Sequence, residues 1–329
     1  MNMTLSSRFT RRFGLATPIA LAPMALASGG ALTAACAHAG ALGLVGGGYG
    51  ELDWTRREYS LAQELAGATG RIGCGFIVWK LDQDASALDW VLDQRPRAVM
   101  LSFGDPRTYA QRIAAAGAEL LFQVQRLEQV PLALEAGASV IVAQGGEAGG
   151  HSMNSLNSRA IISFVPEAAD WLAANSPATL LLAAGGIADG RTLAAARVLG
   201  ADGALIGSRL WATAECLAAA QAKQQAVATS GDGTARSSVF DILRRKNWPE
   251  PYDFRALRNA LHRQWEHRLA ELLASPEAAR ADYDAGVKAG DFSRAHVTVG
   301  EAVGLIRDLP PAAELIARMT KEAAAILGP

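Results

Sequence analysis

The chain has 329 residues, 50% of them hydrophobic, with 31 Lys and Arg set against 32 Asp and Glu. A net charge of −1 leaves no basic surplus, which excludes phosphate-backbone binding and with it a nucleic-acid partner. The length exceeds a minimal domain and fits one large barrel with an addition.

Arg8, Arg11 and Arg12 precede a stretch, 13–50, without Asp, Glu, Lys or Arg, which has the outline of a signal peptide or membrane span. Pro18, Pro23, Gly29, Gly30 and the Gly46-Gly47-Gly48 run interrupt it, so a buried strand–helix–strand unit is expected instead. Apolar runs recur from there at 19–22, 42–45, 72–77, 98–101, 120–124, 140–143, 179–183 and 204–206. Helix-like segments such as 54–66, 106–116, 127–136 and 191–199 lie between them, several ending on glycine (Gly117, Gly137, Gly200). Apolar strands without polar alternation are buried on both faces, which means a parallel sheet. Eight such units in series predict a (β/α)8 TIM barrel, with a doubly wound open sheet as the runner-up. Neither GxGxxG nor a P-loop occurs.

After Trp211 the rhythm changes. Residues 214–289 show no strand pattern and carry the turn Trp248-Pro249-Glu250-Pro251. The expected organisation is a barrel over 1–213, a smaller, mainly helical cap over 214–290, and a helical segment over 291–329 returning to the barrel. Cys36, Cys74 and Cys216 are odd in number and far apart, which predicts reduced core thiols and cytoplasmic residence.

A barrel active site forms at the C-terminal ends of the strands. The first run ends in Ala22-Pro23-Met24, the second in Gly46-Gly47-Gly48, and the third holds Gly75. The fifth carries Gln123 and Gln125, and the sixth opens from Gln144 into Gly145-Gly146-Glu147-Ala148-Gly149-Gly150-His151. The seventh ends in Ala184-Gly185-Gly186 and the eighth in Gly207-Ser208-Arg209. Small residues at so many strand ends leave space for a flat, wide ligand. Exposed N–H groups in the last two loops are expected to form a phosphate site, rather than tight turns alone, with Asp189 capping the helix between them. His151, at the end of its glycine-rich loop, is the candidate catalytic base. Glu147 is the rival base and reads as solvated; His38 reads as a packing residue on its helix. His262 and His267 lie off the i,i+4 spacing of a ligand pair, so no metal is expected. Arg244-Arg245-Lys246 reads as a solvated helix end. Trp248 and Trp265 have two readings, a lid over the substrate or packing of the cap's own core.

The segments Ala22-Pro23-Met24, Gln144 to His151, Ala184-Gly185-Gly186-Ile187 and Gly203 to Arg209 together resemble the FMN-dependent nitronate monooxygenases, formerly 2-nitropropane dioxygenases. The resemblance implies FMN at the strand ends and a smaller domain over the site. Ala22, Pro23 and Met24 would line the flavin ring, Gly75 and Gln123 would approach it, and Gln144, Gly149, Gly150 and Ala184 would adjoin it. Gly185, Gly186, Gly207 and Ser208 would hold its phosphate. His151 would take the α-proton of a nitroalkane, and O2 would complete oxidation to a carbonyl compound and nitrite. Many relatives have Asn at the position of Gly75, which marks this chain as divergent. The expected partners are a nitroalkane or nitronate and O2, with no nucleic acid and no membrane; a homodimer is left open. The competing reading is an FMN-dependent, NAD(P)H-using reductase of the enoyl-ACP reductase type.

Overall fold

A computed structural model describes residues 5–328. Eleven strands are found among them: β1 (Ile19–Leu21), β2 (Gly43–Gly48), β3 (Ile72–Ile77), β4 (Ala98–Ser102), β5 (Glu119–Val124), β6 (Val140–Gln144), β7 (Gly150–Met153), β8 (Leu180–Ala184), β9 (Gly203–Ile206), β10 (Thr234–Ser237) and β11 (Tyr252–Leu257). Eight of them pair in parallel in the order β1-β9-β8-β6-β5-β4-β3-β2. A bridge between Ala20 and Leu42 joins the two ends, so the sheet closes into a (β/α)8 barrel. The doubly wound alternative is therefore excluded.

The barrel strands read as unbroken apolar runs because both of their faces are buried. Successive residues still part company. Ala20, Leu44, Met100, Leu121, Val142, Leu182 and Leu205 point into the barrel, while Ile19, Leu21, Val45, Leu101, Phe122, Ile141 and Ile206 pack under the helices. Phe9 and Phe13, from the helix Arg8–Phe13, join the interior cluster. The stretch expected as a buried strand–helix–strand unit is β1, the helix Gly30–His38 and β2. No helix among the described residues is long and apolar enough to cross a membrane. Gly117, Gly137 and Gly200 have φ of 72°, 76° and 100°, the left-handed backbone that ends a helix. All three cysteines are free and buried.

Two expectations are corrected. The region after Trp211 is not strandless: β10 and β11 form an antiparallel pair, and β7 adds to its edge in the order β10-β11-β7. Only β11, six residues long, alternates polar and apolar residues, and β10 is the four residues Thr234-Ala235-Arg236-Ser237, too short a run to stand out beside helical segments. Consequently His151 is not in a loop. It lies on β7, opposite Phe254 of β11. The other cap elements, including the helices Val239–Leu243, Ala260–Trp265 and Glu277–Ala289, share a core of Val239, Phe240, Leu243, Phe254, Leu261 and Tyr283. The tail helix Ala312–Leu327 packs against the helices Gly190–Val198 and Gly30–His38.

Candidate active site

The rim at the C-terminal ends of the barrel strands holds the residues picked out above. Gly46 is glycine because a Cβ there would lie 2.1 Å from the Met24 carbonyl oxygen. Gly75 is glycine because its Cβ would lie 2.2 Å from Cγ of Pro23, so β3 and the loop after β1 touch directly. The Met24 N–H donates to Ser28 Oγ at 2.7 Å, which holds the Ala22-Pro23-Met24 turn.

The loops after β8 and β9 supply donors. Gly185 and Gly186 have φ of 101° and 72°, a conformation that favours glycine. A Cβ on Gly207 would meet only Ala22 Cβ and Met24 Sδ, at 3.6 and 3.8 Å, so this backbone borders open space between β1 and β9. The Gly186 and Gly207 N–H groups donate to no other group among the described residues. Ser208 Oγ accepts from the Gly300 N–H at 2.8 Å. Asp189 caps the helix Gly190–Val198, accepting from the Thr192 N–H at 2.9 Å.

A buried polar spine leads from the barrel to His151. Gln123 and Gln125 each donate Nε2–H to Gln144 Oε1, at 3.2 and 3.0 Å, and Gln144 Nε2 donates to the His151 carbonyl at 3.1 Å. The loop between β6 and β7 is clamped from the small sheet. Arg236 Nη2 donates to the carbonyls of Ala148 and Gly146, Arg236 Nη1 to Asp253, and Arg255 Nε to the Gly146 carbonyl. Gly149 packs against the 299–300 backbone, where a Cβ would lie 2.5 Å from the Val299 carbonyl carbon. Gly150 is the first residue of β7, with φ 74°.

The His151 side chain is only 7% exposed, and its Nε2 lies 2.9 Å from Oδ1 of Asp241, whose side chain is 5% exposed. Its Nδ1 has no hydrogen-bond partner among the described residues. One face of the imidazole stacks on Trp248, with centroids 3.4 Å apart and planes 11° apart. Trp248 Nε1 donates to Tyr49 Oη at 3.1 Å, and Trp79, Phe103 and Tyr252 pack edge-on around it. Burial, with Arg244 and Arg236 nearby, holds the His151 pKa well below its ordinary value, so the ring is a neutral imidazole at pH 7. Burial pushes Asp241 up to about 7, against the pull of Arg244.

Three further expectations change, and the two tryptophans, left with two readings, are placed. Glu147 is not solvated: its Oε1 accepts from the Ile161 N–H at 3.0 Å, its Oε2 is buried without a partner, and burial raises its pKa. His38 is not a packing residue; it is exposed, with Nε2 2.8 Å from the Leu65 carbonyl. Arg244 is not solvated, since it lies over the Phe254 ring at 4.8 Å and 4.0 Å from Asp241. Trp248 faces His151, whereas Trp265 packs on the cap core. Sequence reading missed Asp241 and Arg236. Each sits in an ordinary helix or strand run, and no local signal marks it.

The nitronate monooxygenase family model matches residues 60–322. The chain belongs to the nitronate monooxygenase family. It is 35% identical to nitronate monooxygenase npaC of Metarhizium robertsii, covering 93% of this chain and 90% of that one. It is 31% identical to the nitronate monooxygenase of Neurospora crassa, over 92% and 88%. Among solved structures it is similar to the nitroalkane oxidase of Streptomyces ansochromogenes, with a TM-score of 0.79, 26% identity and coverage of 97% and 98%. FabK from Thermotoga maritima gives a TM-score of 0.84, 25% identity and coverage of 98% of each chain. This member of the nitronate monooxygenase family is accordingly an oxidoreductase.

Proposed function

We propose that the chain uses FMN and O2 to oxidise nitroalkanes and nitronates to a carbonyl compound and nitrite, with His151 as the base. The observation that carries this reading is a buried, neutral imidazole at the barrel rim, held at Nε2 and unpartnered at Nδ1. The residues fit a flavin mononucleotide. Gly185, Gly186, Gly207 and Ser208 would hold its phosphate through N–H groups that the fold leaves free or exposed. Ala22, Pro23, Met24, Gly75, Gln123, Gln144, Gly149, Gly150 and Ala184 would border the rest. FMN, when bound, supplies electron acceptance from the nitronate and passes the electrons to O2.

The protein's own work is with the proton. Nδ1 of His151 takes the α-proton, the C–H electron pair stays on the substrate as nitronate, and the imidazolium is stabilised at Nε2 by Asp241. The aromatic wall of Tyr49, Trp79, Phe103, Trp248 and Tyr252 keeps water from the ring.

The purified protein should be yellow, release FMN on denaturation, and bleach when a nitronate is added without oxygen. A protein that stays colourless after reconstitution with FMN overturns the reading. The variant His151→Ala should lose about 10²-fold or more in kcat/KM on a neutral nitroalkane; full turnover overturns the base assignment. The likeness to FabK favours a second reading, an NAD(P)H-using reductase. Rapid anaerobic bleaching by NADH or NADPH, with no nitro compound present, would select it.

A further inference from the structure

Asp241 is brought to His151 from 90 residues away, on the short helix Val239–Leu243 of the cap. The 2.9 Å contact involves one carboxylate oxygen and one ring nitrogen, and both side chains are buried. A neutral imidazole carries one N–H, and the group bonded to one nitrogen decides which nitrogen is bare. An ionised carboxylate accepts only, so it fixes the proton on Nε2 and leaves Nδ1 as the basic lone pair. A protonated carboxyl reverses this: its O–H donates to Nε2, the ring proton moves to Nδ1, and the base is lost.

We propose that Asp241 is a positioning residue that sets the tautomer of His151 and thereby makes Nδ1 the base, so that the cap domain switches on the barrel's chemistry. The proposal rests on His151 being the base. In the proton transfer the substrate C–H bond breaks, an N–H bond forms at Nδ1, the electron pair remains on the substrate, and Nε2–H stays bonded to ionised Asp241.

The charged and titratable neighbours come from several elements around the pair, among them His262 and Tyr283, whose rings pack on Phe240 of Asp241's own helix. Arg244 ends the same helix, 4.0 Å from Asp241. Arg236 on β10 and Asp253 on β11 form an ion pair at 3.1 Å behind β7. Tyr49 follows β2 and bonds Trp248, and His296 packs on Phe254. Arg244 favours ionised Asp241 and opposes a charged His151. Activity on a neutral nitroalkane should therefore fall as pH drops through about 7, where Asp241 takes up its proton.

The test compares Asp241→Asn and Asp241→Glu in the flavin-loaded enzyme, on a neutral nitroalkane and on the pre-ionised nitronate, which needs no base. Asp241→Asn should lose about 100-fold in kcat/KM on the nitroalkane. That loss should exceed its loss on the nitronate by at least tenfold, the acid limb near pH 7 should disappear, and Asp241→Glu should restore part of both. Nitrogen-15 NMR of labelled histidine, with His151 assigned by its absence in His151→Ala, should show Nε2 protonated and Nδ1 bare above pH 7. The proposal is overturned by Asp241→Asn with the wild-type rate and acid limb, by equal losses on both substrates, or by an Nδ1–H tautomer above pH 7. If His151→Ala keeps its nitroalkane turnover, the base reading fails first, and the tautomer measurement still tests what Asp241 does to the ring.

Discussion

Single residues at this site are constrained by backbone contacts as much as by chemistry. Gly149 is a clear case. Its missing Cβ would lie 2.5 Å from the Val299 carbonyl carbon and 2.6 Å from the Gly300 nitrogen, and neither backbone can yield as a side chain would. Gly149→Ala should therefore destabilise by about 1–3 kcal/mol, read as a lowered urea midpoint with an unchanged slope. Arg236 is the second case. Its side chain is 2% exposed and satisfies Asp253 and the loop carbonyls of Gly146 and Ala148. Arg236→Met leaves the Asp253 carboxylate and the Ala148 carbonyl buried without that donor, while Gly146 keeps Arg255, which should cost about 3–5 kcal/mol by the same urea measurement. The glycines of the rim were legible in the sequence, because a turn or a close approach can be met only by glycine. Arg236 was not, because an arginine on a four-residue strand looks the same whether its guanidinium meets water or carbonyl oxygens.

At the scale of elements, the barrel strands were legible to within a residue or so at most ends. Long apolar runs between helices have few other physical solutions, and the run expected at 179–183 is shifted by one residue to Leu180–Ala184. The widest miss was β2, which runs on through the glycines to Gly48. The small sheet was hidden because its three strands come from two distant parts of the chain and are short. The helix Gly190–Val198 shows local and tertiary control together. Asp189 and Thr192 bond reciprocally at its N-terminus, a pattern visible in the sequence as capping residues three apart. Asp189→Ala should cost about 1 kcal/mol, seen as a fall in Tm, since the Thr192 N–H loses its acceptor.

For the whole molecule, the buried titratable groups of the cap act in opposite directions. Burial lowers His296 to about 3 and holds His151 well below its ordinary value, so unfolding takes up protons below pH 6.5 and these two groups weaken the fold as pH falls. Burial raises Asp241 to about 7 and Asp253 to about 6, so the folded state takes up protons that the unfolded chain does not, and these two groups favour the fold as pH falls toward 4. As pH falls the two pairs therefore oppose each other. Asp253→Asn removes one group, so between pH 6 and 5 its stability should fall with decreasing pH more steeply than the wild type's, by up to about 1.4 kcal/mol per pH unit, measured by denaturation at several pH values. Opposition of this kind cannot be read from composition, because it depends on which groups are buried. The sequence by itself determined the eight-stranded barrel, its glycine-lined rim and the nomination of His151, since periodicity and glycine's conformational freedom act over a few neighbouring residues. Only the tertiary structure placed His151 on a strand, joined it to Asp241 across 90 residues and covered its face with Trp248, because such pairings are fixed by how the cap folds onto the barrel.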